Sequence, residues 1–225
     1  MAKRKEYNHS YFENIDTEDK AYFLGFIYAD GSIVTNKRNS FYLKLHIKDL
    51  HIIKTFIKCI DGEMTPWKQK GRDIIQVSIS GEKIINDLLK IGLHQNKTFT
   101  LKYPEINPEL ERHFLRGYFD GDGCIRIKTD KRDGSQIGDM RFVGGSVEML
   151  NGINERMNFL FGTKKNSLYG PKDKNYRFLG WGSMTDIEKI YKGFYEDSNF
   201  FLYRKKETFD SVINIIKDKK KYRKK

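Results

Sequence analysis

Phe23-Leu-Gly-Phe-Ile-Tyr-Ala-Asp-Gly-Ser-Ile33 and Leu115-Arg-Gly-Tyr-Phe-Asp-Gly-Asp-Gly-Cys-Ile125 spell nearly the same thing 92 positions apart. In register, Gly25 meets Gly117, Ala29 meets Gly121, Asp30 meets Asp122, Gly31 meets Gly123 and Ile33 meets Ile125. Two such stretches in a chain of 225 residues point to a duplicated unit, each copy supplying one carboxylate to a shared centre.

The first stretch reads as the end of a helix from Glu18 to Ala29, opened by Asp16 or Thr17 and stopped by Gly31. Gly25 and Ala29 stand four apart, hence on one face, and Gly117 and Gly121 repeat that stripe. Small residues at this spacing let two helices approach backbone to backbone, which would set Asp30 and Asp122 side by side at the two C-terminal ends. A helix C-terminus carries about half a negative charge, so an Asp there loses roughly 0.3–1 kcal/mol, and two such ends add carboxylate repulsion. No Lys or Arg stands inside either motif at a place that would offset this, so a divalent cation is expected. Hard oxygen ligands suit Mg²⁺, with Mn²⁺ or Ca²⁺ as substitutes, and metal-activated water beside a stabilised leaving oxygen is phosphodiester hydrolysis.

Asp-Gly is also a common turn dipeptide, but a turn does not explain why the small-residue stripe recurs with it. An EF-hand loop around Asp120–Ile125 fails as well. Its register puts Tyr118 at the first ligand position and Thr129 where a bidentate Glu is needed.

Outward from the first motif, residues 41–48 alternate apolar Phe41, Leu43, Leu45 and Ile47 with polar Tyr42, Lys44, His46 and Lys48, a half-buried strand with a basic outer face. Helical spacing follows over 49–59, then a hairpin of 64–70 and 73–80 through Gly71 with Gln76 and Ser78 outward, then a helix over 82–91 ended by Gly92. The second copy repeats the order. It has a helix over 110–121, a strand from Ile125 to Thr129, a basic loop over 130–139 and a strand over 140–147 with a bulge at Gly144-Gly145. Helix 148–161, a hairpin of 164–170 and 176–182, and helices over 185–195 and 209–216 complete it. The expected class is α+β, built as two pseudo-symmetric αββαββα repeats at 1–96 and 110–216, joined by a linker at 97–109 and followed by a basic tail at 217–225.

Net charge is +12 with a pI near 9.5, and the tail carries half of it, a net +6. The rest lies in the body, interleaved with Tyr, Asn, Gln and Ser, which favours a nucleic acid partner over a merely Lys-rich composition. No run approaches the ~18 apolar residues that span a bilayer, and Met1–Glu6 has no apolar signal region. Cys59 and Cys124 are too few and too far apart for a zinc module or a disulfide framework. An intracellular protein without a membrane partner is expected, in the cytoplasm or nucleoid of a bacterial or phage-infected cell, or in an organelle.

Both motifs resemble the LAGLIDADG sequence, and their spacing is similar to that of the single-chain, two-repeat LAGLIDADG homing endonucleases. The match rests on Gly25, Ala29, Asp30, Gly31, Gly117, Gly121, Asp122 and Gly123, and the element order extends it over nearly the whole chain. It departs at Tyr28, where the family name has Asp and where Asp120 keeps it, and at Arg116, where a small residue is usual and which is expected to point out of the helix pair. The resemblance implies antiparallel sheets forming a DNA-binding saddle, motif helices packed at the interface through Gly25, Ala29, Gly117 and Gly121, and metal held by Asp30 and Asp122 beside Ala29 and Gly121. It implies catalytic lysines at the segment closing each repeat, matched by Lys97 and Lys205, where ordinary surface lysine is the alternative.

It further implies DNA contacts from the outer strand faces. Those are Tyr42, Lys44, His46, Lys48, Lys68, Lys70, Arg72 and Gln76 in the first copy, and Arg126, Lys128, Arg141, Lys172, Lys174 and Arg177 in the second. Arg to guanine and Gln to adenine would read bases, while most lysines would hold phosphates. The loops at 36–40 and 130–139 would reach the outer base pairs. The expected partner is double-stranded DNA, bound by a monomer and cut at a long asymmetric target, with RNA a secondary possibility. The alternative is a cleavage-inactive relative, an RNA maturase or transcription regulator, although such relatives usually lose an acidic residue that this chain keeps twice.

Overall fold

The computed structural model describes residues 6–35 and 39–222. The loop expected at 36–40 falls mostly outside the described residues, as do 223–225 of the tail.

The first repeat runs α1 (Glu18–Asp30), β1 (Gly31–Val34), β2 (Ser40–His46), α2 (Leu50–Cys59), β3 (Trp67–Lys68), β4 (Ile74–Ser80) and α3 (Glu82–Lys90). The second runs α4 (Glu111–Asp122), β5 (Gly123–Thr129), β6 (Gln136–Gly144), α5 (Val147–Phe161), β7 (Arg177–Trp181), α6 (Met184–Tyr195) and α7 (Tyr203–Tyr222). The class is α+β, with every strand pair antiparallel: a four-stranded sheet β1-β2-β4-β3 and a three-stranded sheet β5-β6-β7.

Packing divides the chain differently from the repeats. One compact unit takes the first repeat through Lys97 together with Pro104–Gly121, so α4 packs with the first sheet's helices; the other takes Thr98–Tyr103 and Asp122 onward. The segment expected as a linker is therefore shared between the units and tied down. Leu101 is buried, and Ser146 Oγ donates to its carbonyl at 2.5 Å.

In the first unit every residue from Ala21 to Tyr28 is buried, so α1 is enclosed on all sides. Period two in β2 and β4 turns Phe41, Leu43, Leu45, Ile75, Val77 and Ile79 to the core, where Phe12, Phe23 and Phe41 gather around Phe56. Each such fully buried side chain contributes roughly 1.5–3 kcal/mol. α1 passes into β1 without a loop. Gly31 stays at φ −76° and pairs with Leu43, and a Cβ there would lie 2.5 Å from Ile27 Cγ2. Close approach, not a left-handed turn, requires this glycine.

In the second unit β6 and β7 turn Met140, Phe142, Leu179 and Trp181 onto α5, α6 and α7. Five expectations are corrected here, the first being the hairpin strand expected at 64–70 in the first unit, which reduces to Trp67–Lys68. Gly144-Gly145 is no bulge: β6 keeps regular register to Gly144, and Ser146 then caps α5 by accepting from Met149 N. The loop at 130–139 is shorter, since β6 begins at Gln136 and includes Asp139. The strand at 164–170 reduces to one bridge, Tyr169 to Phe178. The last helix spans Tyr203–Tyr222 and absorbs the described part of the tail.

Candidate active site

α1 and α4 touch through their glycines. A Cβ on Gly25 would fall 2.0 Å from the Phe114 carbonyl oxygen, and one on Gly117 would fall 1.9 Å from that of Tyr22. Gly121 continues the stripe, its would-be Cβ 2.3 Å from Ala29 Cβ and 3.3 Å from Asp30 Oδ2. Nothing but hydrogen fits at the first two points, so the backbones meet directly. Asp30 ends α1 exposed, with Gly121 beside its carboxylate. Asp122 is half-buried at the end of α4, in the unit that contains β5.

Each motif end meets a lysine from elsewhere in the chain. In the first unit Lys97 donates through Nζ to the carbonyl of Tyr28 and, at 2.8 Å, to that of Ala29, placing a positive charge on the negative end of α1. In the second unit Lys205, 6% exposed, donates to the Gly123 carbonyl at 2.7 Å. Each closing-segment lysine thus grips the backbone at the end of a motif, although the two grip different carbonyls.

Arg116 does not point out of the helix pair. It is 0% exposed, lies over the Tyr22 ring and pairs with Glu18 at 2.7 Å, with His113 Nδ1 at 3.0 Å from its Nη1. A guanidinium survives such burial because a carboxylate and a ring face replace its water. Beside it Tyr22 donates to the buried Asp120 at 2.8 Å. Burial, then the charge of Arg116, lowers the His113 pKa to about 4. Sequence reasoning missed this cluster, because its partners are 98 residues apart.

The helix-free sheet faces carry the residues expected to meet DNA, and several are already engaged. Lys44 and His46 are exposed on β2, Lys44 Nζ 5.6 Å from the centre of the half-buried Tyr42 ring, while His46 Nδ1 accepts from the exposed Lys48's backbone N–H. Lys68 pairs with Asp73, and Lys70 and Arg72 stand exposed around Gly71 at the hairpin turn. Gln76 is on this face but 3% exposed, its carboxamide oxygen accepting from Gln69 at 2.7 Å. In the second unit Arg126, Lys128 and Arg141 converge on Asp139. Burial works to raise the Asp139 pKa, but hydrogen bonds from Arg141 and Arg126 outweigh it and hold the carboxyl below its ordinary value. Arg177 directs Nη1 to the carbonyls of Pro171, Lys174 and Tyr176, folding the turn that carries the exposed Lys172 and Lys174.

Among the described residues no group of three or more His, Cys, Asp or Glu stands together as a metal cluster. A carboxylate is the hard oxygen ligand that a cation such as Mg²⁺ takes, and Asp30 Oδ2 lies 3.3 Å from where a Cβ on Gly121 would stand. No helix among the described residues is long and apolar enough to cross a membrane.

Helix pair, glycine contacts and αββ order together define a LAGLIDADG-type fold. Residues 109–175 match the family model of the LAGLIDADG-like domain, and most of the chain has the fold of the single-chain LAGLIDADG homing endonucleases. It superposes on the I-LtrWI LAGLIDADG homing endonuclease bound to target DNA with a TM-score of 0.65 at 17% identity, covering 94% of this chain and 92% of that one. I-SmaMI bound to cleaved DNA matches with a TM-score of 0.64 at 14% identity, over 92% of each chain. The meganuclease I-AabMI bound to uncleaved DNA matches at 0.62 and 16%, over 88% and 91%. No curated protein matches the sequence.

Proposed function

We propose that this chain is a site-specific endonuclease of double-stranded DNA, acting as a monomer because one chain carries both motifs. The observation that carries this reading is the glycine contact of α1 and α4, which ends with Asp30 against Gly121 and Lys97 on the same helix end. The similarity to endonucleases solved on DNA supports it. Asp30 and Asp122, with the backbone at Ala29 and Gly121, would hold Mg²⁺, which when bound supplies water activation and charge stabilisation at a phosphodiester. The chain's own residues do the rest. The α1–α4 contact fixes where the Asp30 carboxylate is presented, and Lys97 offsets the helix-end charge that would otherwise oppose an anion there. The basic strand faces would hold the phosphate backbone.

The test is a cleavage selection on a randomised duplex library with Mg²⁺, run beside Asp30→Asn and Asp122→Asn. Cutting should fall at least about a hundredfold in either variant, with duplex binding retained. Retained cutting in either variant overturns the site. Binding without cutting by the native chain would instead make it a binding-only relative.

A further inference from the structure

We infer that Asp139 is a positioning residue for base recognition, holding Arg126 as a guanine reader on the helix-free face of the second sheet. The inference rests on the DNA-binding reading above and deepens it.

Asp139 lies on β6 between Gly138, whose would-be Cβ meets Val212 of α7, and Met140, which is buried in the core. Strand alternation therefore turns Asp139 to the face without helices, where a carboxylate would ordinarily be wet. It is only 7% exposed, and cations surround it. Arg126, its cross-strand partner, donates Nε at 2.7 Å; Arg141 donates Nη2; Lys128 Nζ stands at 3.4 Å. The three cations are not equivalent. Arg141 lies over the Phe178 ring with its side chain mostly covered, so it anchors the carboxylate. The Arg126 side chain is 52% exposed and engages Asp139 through Nε alone.

That single contact tethers the guanidinium at Nε and leaves its Nη edge unbonded to Asp139, on a side chain half exposed to solvent. A guanidinium edge of this kind matches the O6 and N7 acceptors of guanine in the major groove. The buried anion also disfavours the competing use of these cations, because a phosphate seated on the trio would approach Asp139 as well. One carboxylate thus weakens nonspecific attraction and sharpens a base contact.

The experiment is a binding selection of the full-length protein on a randomised duplex library, comparing native chain, Asp139→Asn and Arg126→Lys, with thermal melts and the salt dependence of binding. Both variants should lose guanine preference at the same target position, from about tenfold or more to under about threefold. Asp139→Asn should also bind random duplex more tightly, since it removes a negative charge, while Arg126→Lys keeps net charge and isolates the fork geometry. Arg126 is exposed, so its variant tests the idea even if Asp139→Asn melts early. A native guanine preference that survives unchanged in Arg126→Lys overturns the inference and leaves the nuclease reading standing. A native chain with no sequence preference at all overturns both.

Discussion

Gly25 and Gly117 are the residues on which most else depends. Their absent side chains admit the Phe114 and Tyr22 carbonyls, and backbone cannot step aside as a flexible side chain does. Gly25→Ala or Gly117→Ala should destabilise by roughly 3 kcal/mol, the upper end of over-packing, and lower Tm by about 10 °C. A melt within two or three degrees of native would show the helices able to part. His113 gives a pH signature. Its pKa is held down to about 4 in the folded chain, against 6.5 unfolded, because burial and Arg116 oppose its charging. Between those values the unfolded state binds the extra proton, so the contribution is complete above about pH 6.5 and disappears as pH falls toward 4. Its slope is at most one proton, about 1.4 kcal/mol per pH unit. Denaturant unfolding across that range should show the slope in the native protein and a shallower one in His113→Gln. At this scale small residues were legible, because a glycine stripe at helical spacing reports close approach directly. The burial of Arg116 was not, since the Glu18 that permits it lies on another helix.

At the scale of elements, the junction at the end of α1 combines three local effects. Gly31 lets the helix run straight into β1, Asp30 is left exposed, and Lys97 covers the last carbonyls. Lys97→Met should destabilise the first unit by about 1 kcal/mol by removing the helix-end charge and should reduce cleavage far more than DNA binding. Equal reduction of both would make the lysine a cap and nothing more. Periodicity located most helices and strands, yet misjudged several ends. Ser146 caps a helix where apolar phase suggested a bulged strand, and 164–170 bridges only at Tyr169. α7 continues through the Lys-rich stretch because lysine is a good helix former and Lys219 reaches Ser135 Oγ at 2.8 Å.

On the scale of the molecule, charge governs association. Residues 217–225 hold half of the net +12, and the described part of that segment is helix. Removing it should flatten the salt dependence of DNA binding by about 0.9 in log K against log salt for each phosphate that the tail neutralises. An unchanged slope would show that the tail touches none. The sequence by itself determined the duplicated motif, the α+β order and the glycine stripe, because each is written in local spacing along one element. Only the tertiary structure decided which polar groups are engaged inside the protein. Glu18 answers Arg116, Gln69 answers Gln76, the turn at 171–176 takes up Arg177, and Asp139 gathers three cations. The physical reason is that an ion pair or a buried amide depends on a partner's position in space, and spacing along the chain does not encode that position.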